Sequence, residues 1–396
     1  MKKRFTITAL LSLLGILAPA LAQQTEPTGP QGKVEAATNP ITVDVNEYIS
    51  RIQLPPGFSI AVFSDKVPGA RSLALSDNGT LFVGTFGQFG APPVGKVYAL
   101  RDDNHDNKAD EVITVAEKLN LPNGVAVHGN DLYVAEISRI LRFSDIDKNL
   151  KHPPQPVVIN DNYPTDYHHG WKFIRFGPDG RLYVPVGAPC NTCVPDANHA
   201  MITSIKADGS DKQVFARGIR NSVGFDWDPE TGELWLTDNG RDAWGNDIPP
   251  EELNHAPRTG LHFGFPYRFG KTLVDYDYQT DMKAADFTPP ALELPAHNAA
   301  LGMRFYRGGM FPESYKHRIF IASHGSWNRG VPDGYRLFAV TLKDNQVDSY
   351  ETFASGWLTE DKHFWGRPVD VEVLPDGSLL VSDDHAGAIY RISYQK

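Results

Sequence analysis

The chain alternates short apolar runs with tight polar turns, and this unit repeats. Runs 73–75 and 81–84 flank Ser76-Asp77-Asn78-Gly79, and runs 124–127 and 132–135 flank His128-Gly129-Asn130-Asp131. Runs 173–176 and 182–187 flank Gly177-Pro178-Asp179-Gly180, and runs 223–227 and 234–237 surround a turn that contains Gly232. A fainter fifth copy pairs 318–323 with 335–340. The last pairs 369–374 with 379–383 about Pro375-Asp376-Gly377 and is closed by 389–392. Each reads as strand, turn, strand, because the runs are β-branched and aromatic and Asp-Gly or Asn-Gly tolerates the positive φ of a tight hairpin. The turn glycines Gly79, Gly129, Gly180 and Gly232 lie 50, 51 and 52 residues apart. The strands are apolar on nearly both faces, as expected for sheets stacked between sheets. This predicts an all-β fold, a six-bladed β-propeller of four-stranded antiparallel blades. A β-sandwich would instead space its turns at roughly 8–12 residues, without long-range self-similarity.

Three local features refine that picture. Asp44 with Glu47 three residues later resembles a capping box for a short helix ahead of Pro55-Pro56. Residues 58–63 read as a strand ahead of the first full unit, placed to complete the last blade so that the two ends of the chain close the ring. The fifth interval is long: 84 residues separate Gly232 from the Lys316-His317 turn. Its excess, near 240–270, is rich in polar residues, Gly and Pro, and long excursions on one face of such a ring tend to carry function.

The N-terminus has a different character. Lys2, Lys3 and Arg4 precede an apolar run over 5–17, and Ala20-Leu21-Ala22 is a small-x-small cleavage site. Residues 1–22 therefore read as a secretory signal peptide, residues 23–40 as a flexible leader, and 41–396 as a single propeller domain. The expected location is periplasmic or secreted, with no membrane span once the signal is removed. The formal charge of −10 becomes −13 without the three basic residues of the signal. An acidic chain with no basic block is a poor match for nucleic acid or an anionic membrane. The two cysteines, Cys190 and Cys193, form Cys-Asn-Thr-Cys. Export favours a local disulfide, no following His supports covalent haem attachment, and no second pair supports a zinc ribbon.

Chemistry concentrates before the third unit, where His168 and His169 follow Asp161, Asp166 and Tyr167. A histidine there serves as a general base near neutral pH, best when a carboxylate orients its other nitrogen. Further along come Arg220-Asn221, then the long excursion, then Gly366-Arg367-Pro368-Val369-Asp370 before the final Pro-Asp-Gly. This order resembles the soluble pyrroloquinoline quinone-dependent sugar dehydrogenases. Gly187-Ala188-Pro189-Cys190-Asn191-Thr192-Cys193 and His324-Gly325-Ser326-Trp327-Asn328-Arg329 are similar to the sorbosone dehydrogenase-like subgroup. The resemblance runs from Leu54 to Ile392.

The resemblance implies a propeller that holds pyrroloquinoline quinone and calcium at the mouth of the ring. It makes His169 the catalytic base, with Arg220 and Asn221 flanking the quinone. It makes Arg367 one of two late arginines on the cofactor carboxylates, the second falling on Val369. A lysine of the fifth blade falls on His324, with Arg329 as a substitute source of charge. The calcium loop aligns with Asp238-Asn239-Gly240-Arg241, so that the carbonyls of Gly240 and Arg241 would be ligands, and Gly-Arg stands where the family has Gly-Pro. The later acidic segment aligns with Glu251-Glu252-Leu253-Asn254. An arginine fork suits a tricarboxylate, and calcium takes oxygen ligands. In the reaction so implied, His169 removes the proton of a sugar C1 hydroxyl or aldehyde hydrate, the hydride passes to the quinone, and an external quinone or cytochrome reoxidises it.

Two further sets are candidates from the residues alone. Asp102, Asn104, Asp106 and Asp110 occupy EF-hand loop positions 1, 3, 5 and 9. Asn107 stands at position 6 and Ile113 at position 12, which leaves a structural calcium loop and a polar hairpin tip both open. Trp227 and Trp235 lie in strand patterns and read as core, whereas Trp171, Trp244 and Trp327 sit in candidate mouth loops. The alternative functions are a calcium-dependent lactonase-type hydrolase, which needs carboxylates converging on the ring axis, and a non-catalytic binding propeller.

Overall fold

The computed structural model describes residues 39–86 and 94–395. The expected signal peptide, and all but the last two residues of the expected leader, lie outside the described residues. Asn39–Pro40 pair in parallel with His363–Phe364. Asp44 caps the helix Val45–Tyr48 by accepting the Asn46 amide.

Among the described residues, six antiparallel sheets form the ring. The first blade is Ala70–Leu75, Leu81–Thr85, Gly95–Arg101 and Glu111–Leu119, from inside to outside. The sixth is Pro368–Val373, Leu379–Asp383 and Ala388–Tyr394, with Phe58–Ser64 added as its outer strand. The N-terminal strand thus closes the ring on the C-terminal one, Phe58 facing Tyr394 in register.

Alternation within a strand explains why these runs are apolar throughout. Leu81 and Val83 pack toward Leu380 and Ile389 of the sixth blade, while Phe82 between them packs toward Val125, Leu132 and Val134 of the second. Successive side chains leave a strand on opposite faces, so a blade wedged between two others needs both apolar. Similar clusters join every neighbouring pair of blades around the ring. Trp227 and Trp235 belong to two of them and are buried.

Near the axis the innermost strands carry charge instead. Arg304 pairs with Glu372 (3.1 Å) and Asp370 (3.3 Å), Arg175 with Glu372 (2.9 Å) and Asp226 (3.5 Å), and Arg307 with Asp226 (2.7 Å). Three arginines and three carboxylates from four blades balance one another.

The long excursion departs from expectation in position. The strand Glu251–Ala256 is the regular third strand of the fourth blade, and its fourth is Leu292–Leu294. The inserted chain therefore lies between them, at 257–291, and Leu261–His262 within it adds a fifth strand to the third blade.

Candidate active site

Loops from all six blades meet at one end of the ring around a cavity of about 690 Å³, which His169, Arg220, Asn221, His324 and Arg367 all line. Residues far apart in sequence come together here because each blade returns its chain to the same face.

His169 occupies a turn with a left-handed φ of 50°, closed by the Gly170 amide on the Tyr167 carbonyl (3.1 Å). A Cβ on Gly187 would lie 2.4 Å from the His169 Cβ, so glycine lets this turn seat on the neighbouring segment. Lys172, buried, donates from Nζ to the Gly170 carbonyl (2.9 Å) and backs the turn. The orienting partner of His169 is not a carboxylate. Its Nδ1 lies 3.0 Å from the Ala188 carbonyl, which can only accept, so Nδ1 carries the proton and Nε2 is left as the base. Asp166, a carboxylate of the same loop, pairs with His199 (3.2 Å). Burial, then the positive charge of Arg220 and neighbouring His168, hold the His169 pKa well below the ordinary histidine value. The ring is therefore neutral at physiological pH.

Opposite lies a cluster of cations on one carboxylate. Asp384 accepts from Arg71 Nη1 (2.9 Å) and Arg367 Nε (2.9 Å), and both its oxygens lie 3.1 Å from His324 Nε2. Burial lowers the His324 pKa to about 4, so the ring is neutral at pH 7. Arg71 had no place in the sequence reading. Its one signal was a lone charged residue in the inner strand Ala70–Leu75. It is 4% exposed, lines the cavity, and is braced by Asn123 Oδ1 at its Nε (2.8 Å). Blade one adjoins blade six, so Arg71 offers a guanidinium beside Arg367, where Val369 is instead buried in the core.

Arg220 is held from several sides. Nε donates to the Asn191 carbonyl (2.8 Å), Nη2 to Asn191 Oδ1 (2.8 Å) and Asp242 Oδ2 (3.1 Å), and Nη1 to the Asn239 carbonyl (3.1 Å). Asn221 donates its amide to Asp238 Oδ1 (2.6 Å). Burial pushes the Glu251 carboxyl, which also lines the cavity, up to about 8, so it is protonated at pH 7. Three guanidiniums, of Arg71, Arg220 and Arg367, then face two carboxylates, of Asp242 and Asp384. The balance favours an anionic guest. Trp171 lines the cavity, as does Trp327, 61% exposed at its rim.

Other expected residues lie elsewhere. Arg329 does not line the cavity: it binds the carbonyls of Asn246 (2.6 Å) and Ala296 (3.2 Å) and pairs with Asp247 (3.2 Å). The Arg241 side chain is fully buried against Asp275 and over the Trp244 ring (4.5 Å), and Trp244 itself packs on Phe269 rather than the mouth. Gly240 does line the cavity, with its amide on Glu251 Oε2 (3.0 Å).

The 102–110 hairpin opens on the face away from the mouth, since Leu81–Thr85 runs toward cavity-lining Phe86 and Gly95–Arg101 runs back. Its acidic groups cap their own loop. Asp102 accepts the amides of Asp106 (3.1 Å) and Asn107 (3.0 Å), and Asp110 those of Asp103 (2.7 Å) and Asn104 (3.0 Å). Asp106 accepts the Lys108 amide (2.9 Å), and the Asn104 side chain turns to Asp110 and the Asp106 amide. Among the described residues no three His, Cys, Asp or Glu side chains converge to hold a metal ion. The lactonase reading points to Asp238, Glu251 and Glu252, which accept main-chain amides, whereas Asp226, Asp370 and Glu372 at the axis pair with arginines. Cys190 and Cys193 form a disulfide.

A family model described as a domain of unknown function (DUF7133) matches residues 44–392. An uncharacterized protein of Borreliella burgdorferi is 34% identical over 379 residues, covering 90% of this chain and 94% of its own. The chain belongs to this family. Its fold is that of solved quinone-dependent sugar dehydrogenases. The holo pyranose dehydrogenase PQQ domain of Coprinopsis cinerea superposes with a TM-score of 0.71 at 19% identity, over 93% of this chain and 99% of that one. The calcium structure of the Trichoderma reesei carbohydrate-active enzyme of family AA12 gives 0.73 at 19%, over 87% and 97%. In sequence, the pyrroloquinoline quinone-dependent pyranose dehydrogenase of Coprinopsis cinerea is 29% identical over 129 residues, 27% of this chain and 17% of that protein. No helix among the described residues is long and apolar enough to cross a membrane.

Proposed function

We propose that this protein is a pyrroloquinoline quinone-dependent dehydrogenase of an aldose or sugar aldehyde, sorbosone-like compounds included, working outside the cytoplasm. The observation that carries this reading is one cavity holding both an unprotonated histidine nitrogen and a surplus of guanidinium charge. The cofactor is a flat tricarboxylate, and the cavity fits it chemically: Arg71, Arg220 and Arg367 would take the carboxylates, with Asn221 and His324 beside them. When bound, the quinone supplies a two-electron acceptor for a hydride. Calcium, a Lewis acid for oxygen donors, would draw main-chain oxygens from Gly240 and Arg241.

The chain's own part is proton and position. His169 Nε2, neutral because the pKa is depressed, takes the hydroxyl proton of the substrate as the C–H bond breaks. The imidazolium so formed keeps its Nδ1–H on the Ala188 carbonyl, which fixes the ring through the step. Trp171 and Trp327 give the sugar apolar faces to lie on, and electrons leave to an external quinone or cytochrome.

Isothermal titration of the protein with pyrroloquinoline quinone, with and without calcium, tests the reading. One equivalent should bind, and Arg71→Leu together with Arg367→Leu should abolish it. Absence of binding under both conditions would remove the dehydrogenase reading.

A further inference from the structure

The Cys-Asn-Thr-Cys motif is left unused by the chemistry above, yet the segment it ends holds much of the site. From Ala188 to Asn191, main-chain and side-chain oxygens collect the groups that matter. The Ala188 carbonyl takes His169 Nδ1 (3.0 Å), the Cys190 carbonyl faces His168, and the Asn191 carbonyl and Oδ1 take Arg220 Nε and Nη2 (2.8 Å each). The Ala188 amide returns to the Arg220 carbonyl (2.8 Å). Asn191 Oδ1 also accepts the Asp242 amide (2.8 Å), and its Nδ2 donates to the Asp242 carbonyl (3.3 Å). Asn191 does not line the cavity, so all of its polar reach is spent on Arg220 and on the Asp242 that pairs with Arg220.

We propose that Asn191, presented by the Cys190–Cys193 clip, is the positioning residue that aims Arg220 into the cavity, and that the disulfide is what keeps it in place. Two parallel N–H donors on two oxygens of one residue fix a guanidinium in plane and direction, which a single contact does not. That grip needs a rigid acceptor, and Asn191 sits in a turn with no regular strand or helix to hold it. The bridge supplies the rigidity. It closes a four-residue ring whose sulfur side packs with Ala188, Ala200, Phe265 and Phe269, and Thr192 Oγ1 donates to the Tyr278 hydroxyl (2.6 Å). A bridge spanning so few residues constrains the unfolded chain less than one closing a long loop would. Its main effect is therefore local, on the order of the segment it closes. The inference relies on the dehydrogenase reading only for its consequence, tight holding of an anionic cofactor.

The test reads Arg220 directly in the cofactor-free protein. In the ¹⁵N-arginine spectrum, the Arg220 Nε–H is assigned by its loss in Arg220→Lys, and its exchange with solvent is measured in wild type, in Asn191→Ala and in wild type reduced with dithiothreitol. The dithiol passes two electrons and two protons to the bridge, leaving two cysteine thiols and its own cyclic disulfide. Exchange should be about tenfold or more faster in both, the fold-change of losing a hydrogen bond to a charged group, with the remaining arginine signals unmoved. Pyrroloquinoline quinone titrated into the same samples should bind about tenfold more weakly. Unchanged Arg220 exchange in both would overturn the proposal, as would faster exchange with undiminished quinone affinity. If wild type binds no quinone, the dehydrogenase reading fails, and the Arg220 signal alone still decides whether the clip positions this arginine.

Discussion

Asp384→Asn isolates the electrostatics of the mouth in a single atom. The carboxylate is 4% exposed and carries Arg71 (2.9 Å, itself buried), Arg367 (2.9 Å, side chain 33% exposed) and His324 (3.1 Å). Asparagine keeps the shape and one acceptor but leaves two guanidiniums without their counter-charge. Removing one partner of a buried ion pair costs about 3–5 kcal/mol. Most of that falls on Arg71, since water screens the more exposed Arg367. Urea denaturation of the cofactor-free protein at pH 7 should show this loss as a lower midpoint at unchanged slope. The pH dependence has a definite sign. Burial alone would raise the Asp384 pKa, but His324, Arg367 and Arg71 overcome it and hold the carboxyl far below the usual range. Its contribution is present above the unfolded value of 3.8 and is lost as pH falls below it. The gap between wild type and variant should therefore be constant from pH 7 to 5 and narrow below about pH 4. A cost below about 1 kcal/mol, or a gap that widens on acidification, would refute the account of Asp384 as the hub.

Three other perturbations follow from the same structure. Arg304→Met leaves Asp370 and Glu372 short of a partner at the axis and should destabilise the ring by about 3–5 kcal/mol, read as the urea midpoint. Burial, and then Lys212, lower the Lys172 pKa from 10.5 to about 7. Between those values the unfolded chain binds a proton that the folded one does not, so this residue makes stability rise with pH, by up to about 1.4 kcal/mol per unit. Lys172→Met should flatten the rise between pH 7 and 9, and an unchanged slope would contradict the assignment. Trp327→Ala should raise KM for the sugar with little change in kcat, because the side chain reaches the rim and not the reacting atoms; steady-state kinetics separate the two.

The blades were legible because each strand must be apolar on both faces and each turn must begin again after about the same length of chain. Even the closing strand, Phe58–Ser64 against Ala388–Tyr394, could be anticipated from a lone apolar run ahead of the first unit. The place of the insertion was not, since Glu251–Ala256 carries two glutamates and reads as loop, although it is an interior strand whose carboxyls are buried. Residues tied to a motif, such as His169, Arg220 and Arg367, emerged from order along the chain. Arg71, Asn191 and Asp384 did not, because the partners that place them at the mouth lie 17 to 313 residues away and meet only in the folded ring. Arg329 misled for the converse reason. Its place beside His324 in sequence suggested charge at the mouth, while the loop turns its side chain toward Asp247.

The most direct test of the central claim is turnover. The protein, loaded with pyrroloquinoline quinone and calcium, is assayed for reduction of an artificial dye with a panel of aldoses and sugar aldehydes, beside His169→Ala. Dye reduction should require the quinone and fall by about 10²–10⁴ in kcat in the variant, the usual contribution of a positioned base, with quinone binding intact. Equal rates in wild type and His169→Ala would contradict it.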